Sequence, residues 1–307
     1  MIVITGQTAT GKTNLALKLA AEEDGELINF DSRQVYKELD IITGKDVPKN
    51  SNFILHGSKS GYDVGYHLLP YADKHKIKLW LYDIVNPDRY FSSYDFSTVA
   101  KDLIADIKGR KKLPILVGGS YFYLKHLLYG FDFKSPPNFR LRDKLNEKSV
   151  TELQEALKKL DVVSFNKMNH SDRHNPRRLI RRIEILTDTQ NPKTTPTQNQ
   201  KFLSKSNPNI IGLHYKNRDE LRSIIKKRVN KRLNQGAIEE VKYLLDSGYK
   251  KTDPGMKSIG YKQLMNFLEG SVTKEQAIEE WITAEVQYAK RQYTFMKKDK
   301  NITWNLV

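Results

Sequence analysis

The sequence predicts an α/β fold: a P-loop NTPase-like parallel sheet flanked by helices, interrupted by an all-helical subdomain and ending in a helical carboxyl-terminal part. Three observations point there. The apolar run Met1 to Ile4 leads directly into a glycine loop, Gly6-Gln7-Thr8-Ala9-Thr10-Gly11-Lys12-Thr13, and a helical stretch from Thr13 to Glu22 follows. Further short apolar runs alternate with helical segments, the pattern of a parallel sheet whose ligands bind at the carboxyl ends of its strands. After about Leu124 the chain turns helical and basic.

Taken in order, Glu26 to Phe30 reads as a second strand ending at Asp31, and Leu79 to Tyr82 and Pro114 to Val117 as further strands, separated by a helix from about Tyr94 to Lys108. Pro136-Pro137 is a break. Phe139 to Leu160 and Pro176 to Leu186 carry helical patterns, and 190–209, rich in Pro, Thr, Asn, Gln and Ser, reads as a loop. Ile210 to Leu213 returns as a strand, helical stretches follow near 217–246, 257–268 and 274–298, and Ile302 to Asn305 is a last strand. The expected organisation is a discontinuous core, 1–124 with 190–307, and a helical insertion over 125–189.

Composition narrows the partners. The 307 residues suit one large domain or two ordinary ones. Lys and Arg number 52 against 36 Asp and Glu, a net charge of +16 that favours a polyanionic ligand such as nucleic acid. The absence of cysteine excludes disulfides, zinc knuckles, iron–sulfur clusters and thiol catalysis, and suits a reducing cytoplasm. No apolar run reaches the roughly 18–20 residues that span a bilayer. The first residues carry no signal-peptide pattern, so a cytoplasmic protein without a membrane is expected. The seven histidines show no metal spacing.

The loop Gly6 to Thr13 fits G-x-x-x-x-G-K-[ST] between a strand and a helix. Its glycines let amides turn toward phosphate oxygens and the helix end adds positive potential. Lys12 would neutralise the terminal phosphate, and Thr13 would hold Mg²⁺. Asp31, in Asp31-Ser32-Arg33-Gln34 after the second strand, reads either as a general base beside this loop or as a helix cap. Leu79 to Asp83 reads as a Walker-B strand or as an ordinary apolar run. Gly118-Gly119-Ser120 permits close ligand approach, with Ser120 as a phosphate donor, or is a plain turn. In Asn175 to Arg182, Arg178, Arg181 and Arg182 share a helix face suited to a nucleic-acid backbone, or a solvated face paired with Glu184 and Asp172. Lys226 to Arg232 is a second basic run, beside an apolar stripe of Leu221, Ile225, Val229 and Leu233.

The ordered series resembles the tRNA dimethylallyltransferases over nearly the whole chain: the P-loop, Asp31 to Tyr36, Asp83 to Pro87 with Tyr94-Asp95-Phe96, Leu113 to Gly119, Arg178 to Glu184, Gly236 to Val241, Ile259-Gly260-Tyr261, and Tyr288 to Gln292. The resemblance implies transfer of a dimethylallyl group from dimethylallyl diphosphate to N6 of the adenosine 3′ of a tRNA anticodon, releasing diphosphate. It implies Asp31 and Ser120 as catalytic residues, and Gly6, Thr8, Ala9, Thr10, Gly11, Lys12 and Thr13 as the diphosphate site with Mg²⁺ at Thr13. Contact with the anticodon stem-loop is implied for Asp31, Ser32, Arg33, Gln34, Ser120, Arg140, Arg142, Arg177, Arg178, Arg181, Lys290 and Arg291. Gln34 matches the position that reads the flipped adenine. A monomer is expected.

The chain departs from the family pattern. Gln7 replaces a usual Pro, Ser120 a Thr, and Tyr121-Phe122 a Gly-Leu pair, which is expected to crowd the channel. Ile224 stands at a usual Arg, for which Arg222 or Arg228 is expected to compensate. Glu285-Val286 replaces Thr-Arg, and Phe295 a Trp. A P-loop small-molecule kinase explains the first 120 residues equally well but not the arginine-rich insertion. A non-catalytic RNA-binding protein with a vestigial phosphate site is the third reading.

Overall fold

The computed structural model describes residues 1–48, 51–59, 61–72, 75–130, 138–188 and 208–307. Pro136-Pro137 and most of the 190–209 loop lie outside them. The described residues divide into two compact units, Met1–Tyr129 with Phe202–Val307, and Gly130–Lys201.

The first unit is built on an eight-stranded sheet: β1 (Ile2–Gly6), β2 (Gly25–Asn29), β3 (Ile54–Lys59), β4 (Tyr62–Tyr71), β5 (His75–Trp80), β6 (Leu113–Val117), β7 (Asn209–His214) and β8 (Ile302–Leu306). The order is β3-β4-β5-β2-β6-β1-β7-β8. The six strands from β5 to β8 run parallel, while β4 pairs antiparallel with both β3 and β5. The central strands β1 and β6 read as near-continuous apolar runs because both of their faces are covered. Ile4, Leu27 and Ile115 face helix α1 (Lys12–Glu22) with Ala16 and Ala20. Their neighbours Val3, Ile28 and Leu116 enter the larger cluster on the other face. That face is covered by α2 (Ser93–Gly109), α3 (Tyr121–Tyr129) and the carboxyl-terminal helices α8 (Arg218–Asn234), α9 (Ala237–Asp246), α10 (Tyr261–Leu268) and α11 (Lys274–Met296).

The hairpin β3–β4 is absent from the sequence reading for a physical reason. All six residues of β3 are exposed or half-buried, so it shows no apolar alternation. The strand before Asp83 also stops earlier than expected. It ends at Trp80, and Leu81 and Asp83 adopt positive φ values of 68° and 57°.

The second unit contains α4 (Phe139–Asn146), α5 (Val150–Lys167), α6 (His170–Arg173) and α7 (Pro176–Thr187) around Leu145, Leu153, Leu157, Phe165, Leu179, Ile180 and Ile183. The helical stretch expected over Phe139 to Leu160 is two helices. Ser149 and Glu152 form a capping box that starts α5. Asn175 caps α7 by accepting from the Arg178 amide, with Pro176 in its first turn.

Candidate active site

The chain end of β1, the turn after β2 and the turn after β6 meet around one pocket of 270 Å³. Thr8 to Asn14, Asn29, Asp31, Gln34, Val117, Gly118 and Gly119 line it, with Thr43, Gly44, Asp46, Leu79, Tyr82 and Arg228. Gly11 enters α1 at φ 74°, a left-handed conformation that favours glycine. Ala9 takes the same region at φ 68°, held there by the Tyr215 hydroxyl donating to its carbonyl at 2.7 Å. Gly6 is absent from the pocket wall. Its role is close approach: a Cβ there would sit 2.1 Å from the Leu213 carbonyl oxygen.

Lys12 turns back over the loop and donates to the Gln7 carbonyl. Desolvation, then the charge of Arg228, pulls its pKa down to about 7, against Asp31 and Asp46. An ammonium so poised is restored to full charge by an arriving anion. Gln7, at the usual proline position, is a tie rod: its Oε1 accepts from the Tyr215 amide at 2.8 Å and its Nε2 donates to the Ala289 carbonyl at 3.3 Å. Thr10 turns its hydroxyl to the Gln7 carbonyl at 2.9 Å.

Asp31 is fixed from both sides. Its amide donates to Asn29 Oδ1, and its Oδ1 accepts from the Arg33 amide, both at 2.9 Å. Asp31 lines the pocket, and among the described residues no hydrogen bond to its Oδ2 is found. Ser120 accepts from the Ser32 amide at 2.9 Å and donates to the Ser32 hydroxyl at 3.0 Å, so it also braces the Asp31 turn. Tyr288 bonds Ser120 too, and desolvation pushes its phenol up to about 12. Arg33 points elsewhere, donating to the Pro254 carbonyl at 3.0 Å.

Several expectations are corrected. Asp83 is no Walker-B partner of Thr13: it lies outside the phosphate pocket, lines an adjoining 940 Å³ cleft that shares Gly44, Asp46 and Arg228 with it, and is held by Lys45 and by His67 at 2.8 Å. Burial raises the Asp83 carboxyl, but His67 and Lys45 more than offset this and the net shift is down. Tyr121 does not crowd the pocket. It donates to Asp299 at 2.6 Å and packs edge-on against Phe295 at 5.2 Å, filling the space between α3 and α11. Arg222 pairs with Glu279 at the surface, whereas Arg228 enters the pocket and donates to the Thr8 hydroxyl at 2.8 Å. Thr8 therefore offers the pocket less than expected, since its amide is also committed, to Gln292 Oε1 at 2.9 Å.

Gln292, Tyr288 and Asp46, none of them among the candidate site residues read from the sequence, complete the site together with Arg228. Gln292 is buried and bridges the loop amide of Thr8 to the Gly119 carbonyl, the latter at 3.0 Å. Its sequence signal is its place in the Tyr288 to Gln292 segment, whose charged members Lys290 and Arg291 are exposed on α11.

In the second unit, Arg140 and Arg177 are exposed. Arg178 pairs with Asp172, and Arg142 and Arg181 both close onto Glu184, which is 2% exposed. Burial raises the Glu184 carboxyl, but Arg142, Arg181 and the Asn138 amide bring the net shift below its usual value. Part of the arginine cluster is thus neutralised internally, as the solvated-face reading expects.

The profile of the IPP transferase family matches residues 60–299. A tRNA dimethylallyltransferase from Anoxybacillus flavithermus is 36% identical over 305 residues, spanning 99% of this chain and 89% of that protein. The chain belongs to the IPP transferase family. Its solved relatives include a tRNA isopentenylpyrophosphate transferase from Bacillus halodurans, 32% identical with a TM-score of 0.64, covering 99% of this chain and 89% of that one. A eukaryotic dimethylallyltransferase acting on tRNA aligns at 26% identity with a TM-score of 0.76, over 100% of this chain and 73% of that one. As a member of this family, the chain has the P-loop NTPase-like fold read from its first strands. No helix among the described residues is long and apolar enough to cross a membrane.

Proposed function

We propose that this protein transfers the dimethylallyl group of dimethylallyl diphosphate to N6 of the adenosine 3′ of a tRNA anticodon. The observation that carries this is the convergence of a phosphate loop and a braced carboxylate, Asp31, on one pocket of a chain in this family. The new bond joins N6 to C1 of the allyl group, the C1–O bond breaks, and diphosphate leaves with the bonding pair. Asp31 takes the N6 proton. Lys12, Arg228 and the free loop amides stabilise charge on the leaving group. Ser120 holds the Asp31 turn through Ser32, and Gln34 reads the adenine edge. Basic residues Arg140, Arg177, Arg178, Lys290 and Arg291 are assigned to the phosphate backbone of the stem-loop.

The donors present fit Mg²⁺. Among the described residues no group of three or more His, Cys, Asp or Glu forms a protein-built metal cage, while Thr13 lines the pocket beside the loop. That set suits an ion held by one hydroxyl, diphosphate oxygens and water. When bound, Mg²⁺ supplies further charge neutralisation to the leaving diphosphate. The setting is assigned to the cytoplasm and the active form to the monomer.

The test is transfer of labelled dimethylallyl diphosphate to an anticodon stem-loop in the presence of Mg²⁺, with ATP phosphotransfer as control. Label on the adenosine 3′ of the anticodon alone is expected. ATP consumption without label would return the site to kinase chemistry.

A further inference from the structure

Glu240 lies on the first turn of α9, outside the wall of the phosphate pocket, and the chemistry above does not use it. It is nonetheless tightly engaged. Its carboxylate accepts from three successive amides, Asp40 at 3.0 Å, Ile41 at 2.6 Å and Ile42 at 3.2 Å, and from the hydroxyl of Tyr261. Three consecutive amides aimed at one anion form a nest that fixes the backbone carrying them. The loop closes on itself beyond that point. The Gly44 amide donates to the Ile41 carbonyl at 3.1 Å, the Lys45 amide to the Asp40 carbonyl at 3.0 Å, and the Thr43 hydroxyl to the Leu39 carbonyl.

The far side of this loop controls Gln34. Its Nε2 donates to the Thr43 carbonyl at 3.3 Å and to the Gly44 carbonyl at 3.0 Å. An amide nitrogen has two hydrogens, so both are spent. Rotating the amide by half a turn would face its oxygen onto two carbonyl oxygens, which is repulsive. Gln34 lines the pocket, and the polar atom it has left to offer there is Oε1, an acceptor. An acceptor pairs with an exocyclic amine and repels an exocyclic carbonyl.

We infer that Glu240 is a positioning residue for the acceptor base. By pinning residues 40–44 it locks the polarity of Gln34, so that the site accepts a 6-aminopurine and rejects a 6-oxopurine. This rests on the tRNA-prenylation reading. One N6 hydrogen goes to Asp31 in the reaction, and the other is held by Gln34 Oε1.

The test uses the full chain and two stem-loops, one with adenosine 3′ of the anticodon as substrate and one with inosine there as competitive inhibitor. The readout is the ratio of the inosine inhibition constant to the adenosine KM. Glu240→Gln keeps the side-chain volume but turns one acceptor oxygen into a donor facing amides. It is expected to narrow the ratio about tenfold, the scale of one hydrogen bond replaced by a mismatch. Gln34→Leu should narrow it by itself, and adding Glu240→Gln to that variant should then change nothing further. A full additional effect of Glu240→Gln in the Gln34→Leu background overturns the inference, because Glu240 would then act by another route. An unchanged ratio in Glu240→Gln overturns it as well. If Glu240→Gln does not fold, Tyr261→Phe removes one donor from the same carboxylate, and an unchanged ratio there is equally fatal. Absence of transfer by the unmodified chain would instead count against the proposed function.

Discussion

Helices α7 and α8 look alike as sequence and behave differently as structure. Both are arginine-rich with an apolar stripe. In α7, Leu179, Ile180 and Ile183 are buried while Arg177 and Arg178 are exposed. In α8, the stripe of Leu221, Ile225 and Val229 is extended inward by Arg232, which is 5% exposed and bound to Glu285 at 2.6 Å. Helix geometry explains this. Steps of four residues drift about 40° each, so Leu233 has rotated away from Leu221, whereas positions 7 and 11 residues on lie within about 20° of it. Those positions are Arg228 and Arg232. A basic run is a polyanion surface only where its phase keeps it off the apolar stripe.

The largest test of that contrast is Arg232→Leu. It strands Glu285, which also accepts from Trp281 Nε1 at 2.9 Å, without its cation in a buried site. A loss of about 3–5 kcal/mol in denaturant unfolding is expected, with much of it recovered in the double variant Arg232→Leu/Glu285→Leu. No recovery would mean that Arg232 acts by packing rather than by charge.

Arg228→Leu comes next. It removes the guanidinium that touches Thr8 in the phosphate pocket, and kcat/KM for dimethylallyl diphosphate should fall roughly 100-fold, or about 2.7 kcal/mol. Stem-loop affinity should hold. A loss of RNA binding with unchanged diphosphate kinetics would make α8 a second RNA surface and dissolve the contrast.

Effects in α7 should be smaller and should differ between neighbours. Arg177 is exposed, and no ion pair to it is found among the described residues, while Arg178 is already paired with Asp172. Arg177→Ala should weaken stem-loop binding by about tenfold and flatten its salt dependence by about one phosphate contact, and Arg178→Ala should do so by about twofold. Arg181→Ala tests RNA contact poorly, because it also removes one of the two guanidinium partners of the buried Glu184, leaving Arg142 alone.

The same geometry marks what could be read from sequence. The phosphate loop, its strands and the Asp31 turn follow from local rules, since turn, strand and helix there are all short-range. Asp83 misled because a positive φ at Leu81 and at Asp83 itself redirects a strand end that its composition does not reveal. Gln292 and Arg228 reach the loop from 284 and 220 residues away, so only tertiary packing brings them in. The edge strand β3 lacks the buried alternation that identifies a strand.

The smallest effect separates the helices most cleanly. Arg228 is the second cause of the depressed Lys12 pKa, after desolvation. With that pKa at about 7, the ammonium is present below pH 7 and lost above it. Binding of inorganic diphosphate should therefore weaken as pH rises through about 7, measured against Lys12→Met to remove the ligand's own titration. Stability of the free chain should run the other way. The unfolded lysine keeps its proton to near its ordinary value of about 10.4, so the unfolded state binds more protons between the two values, and stability should rise with pH across that window. Arg228→Leu should move the midpoint of both curves upward, and Arg178→Ala should leave both where they are. Equal movement in the two variants would mean that Lys12 senses net charge rather than one neighbouring guanidinium, and the assignment of Arg228 to the phosphate pocket would lose its electrostatic support.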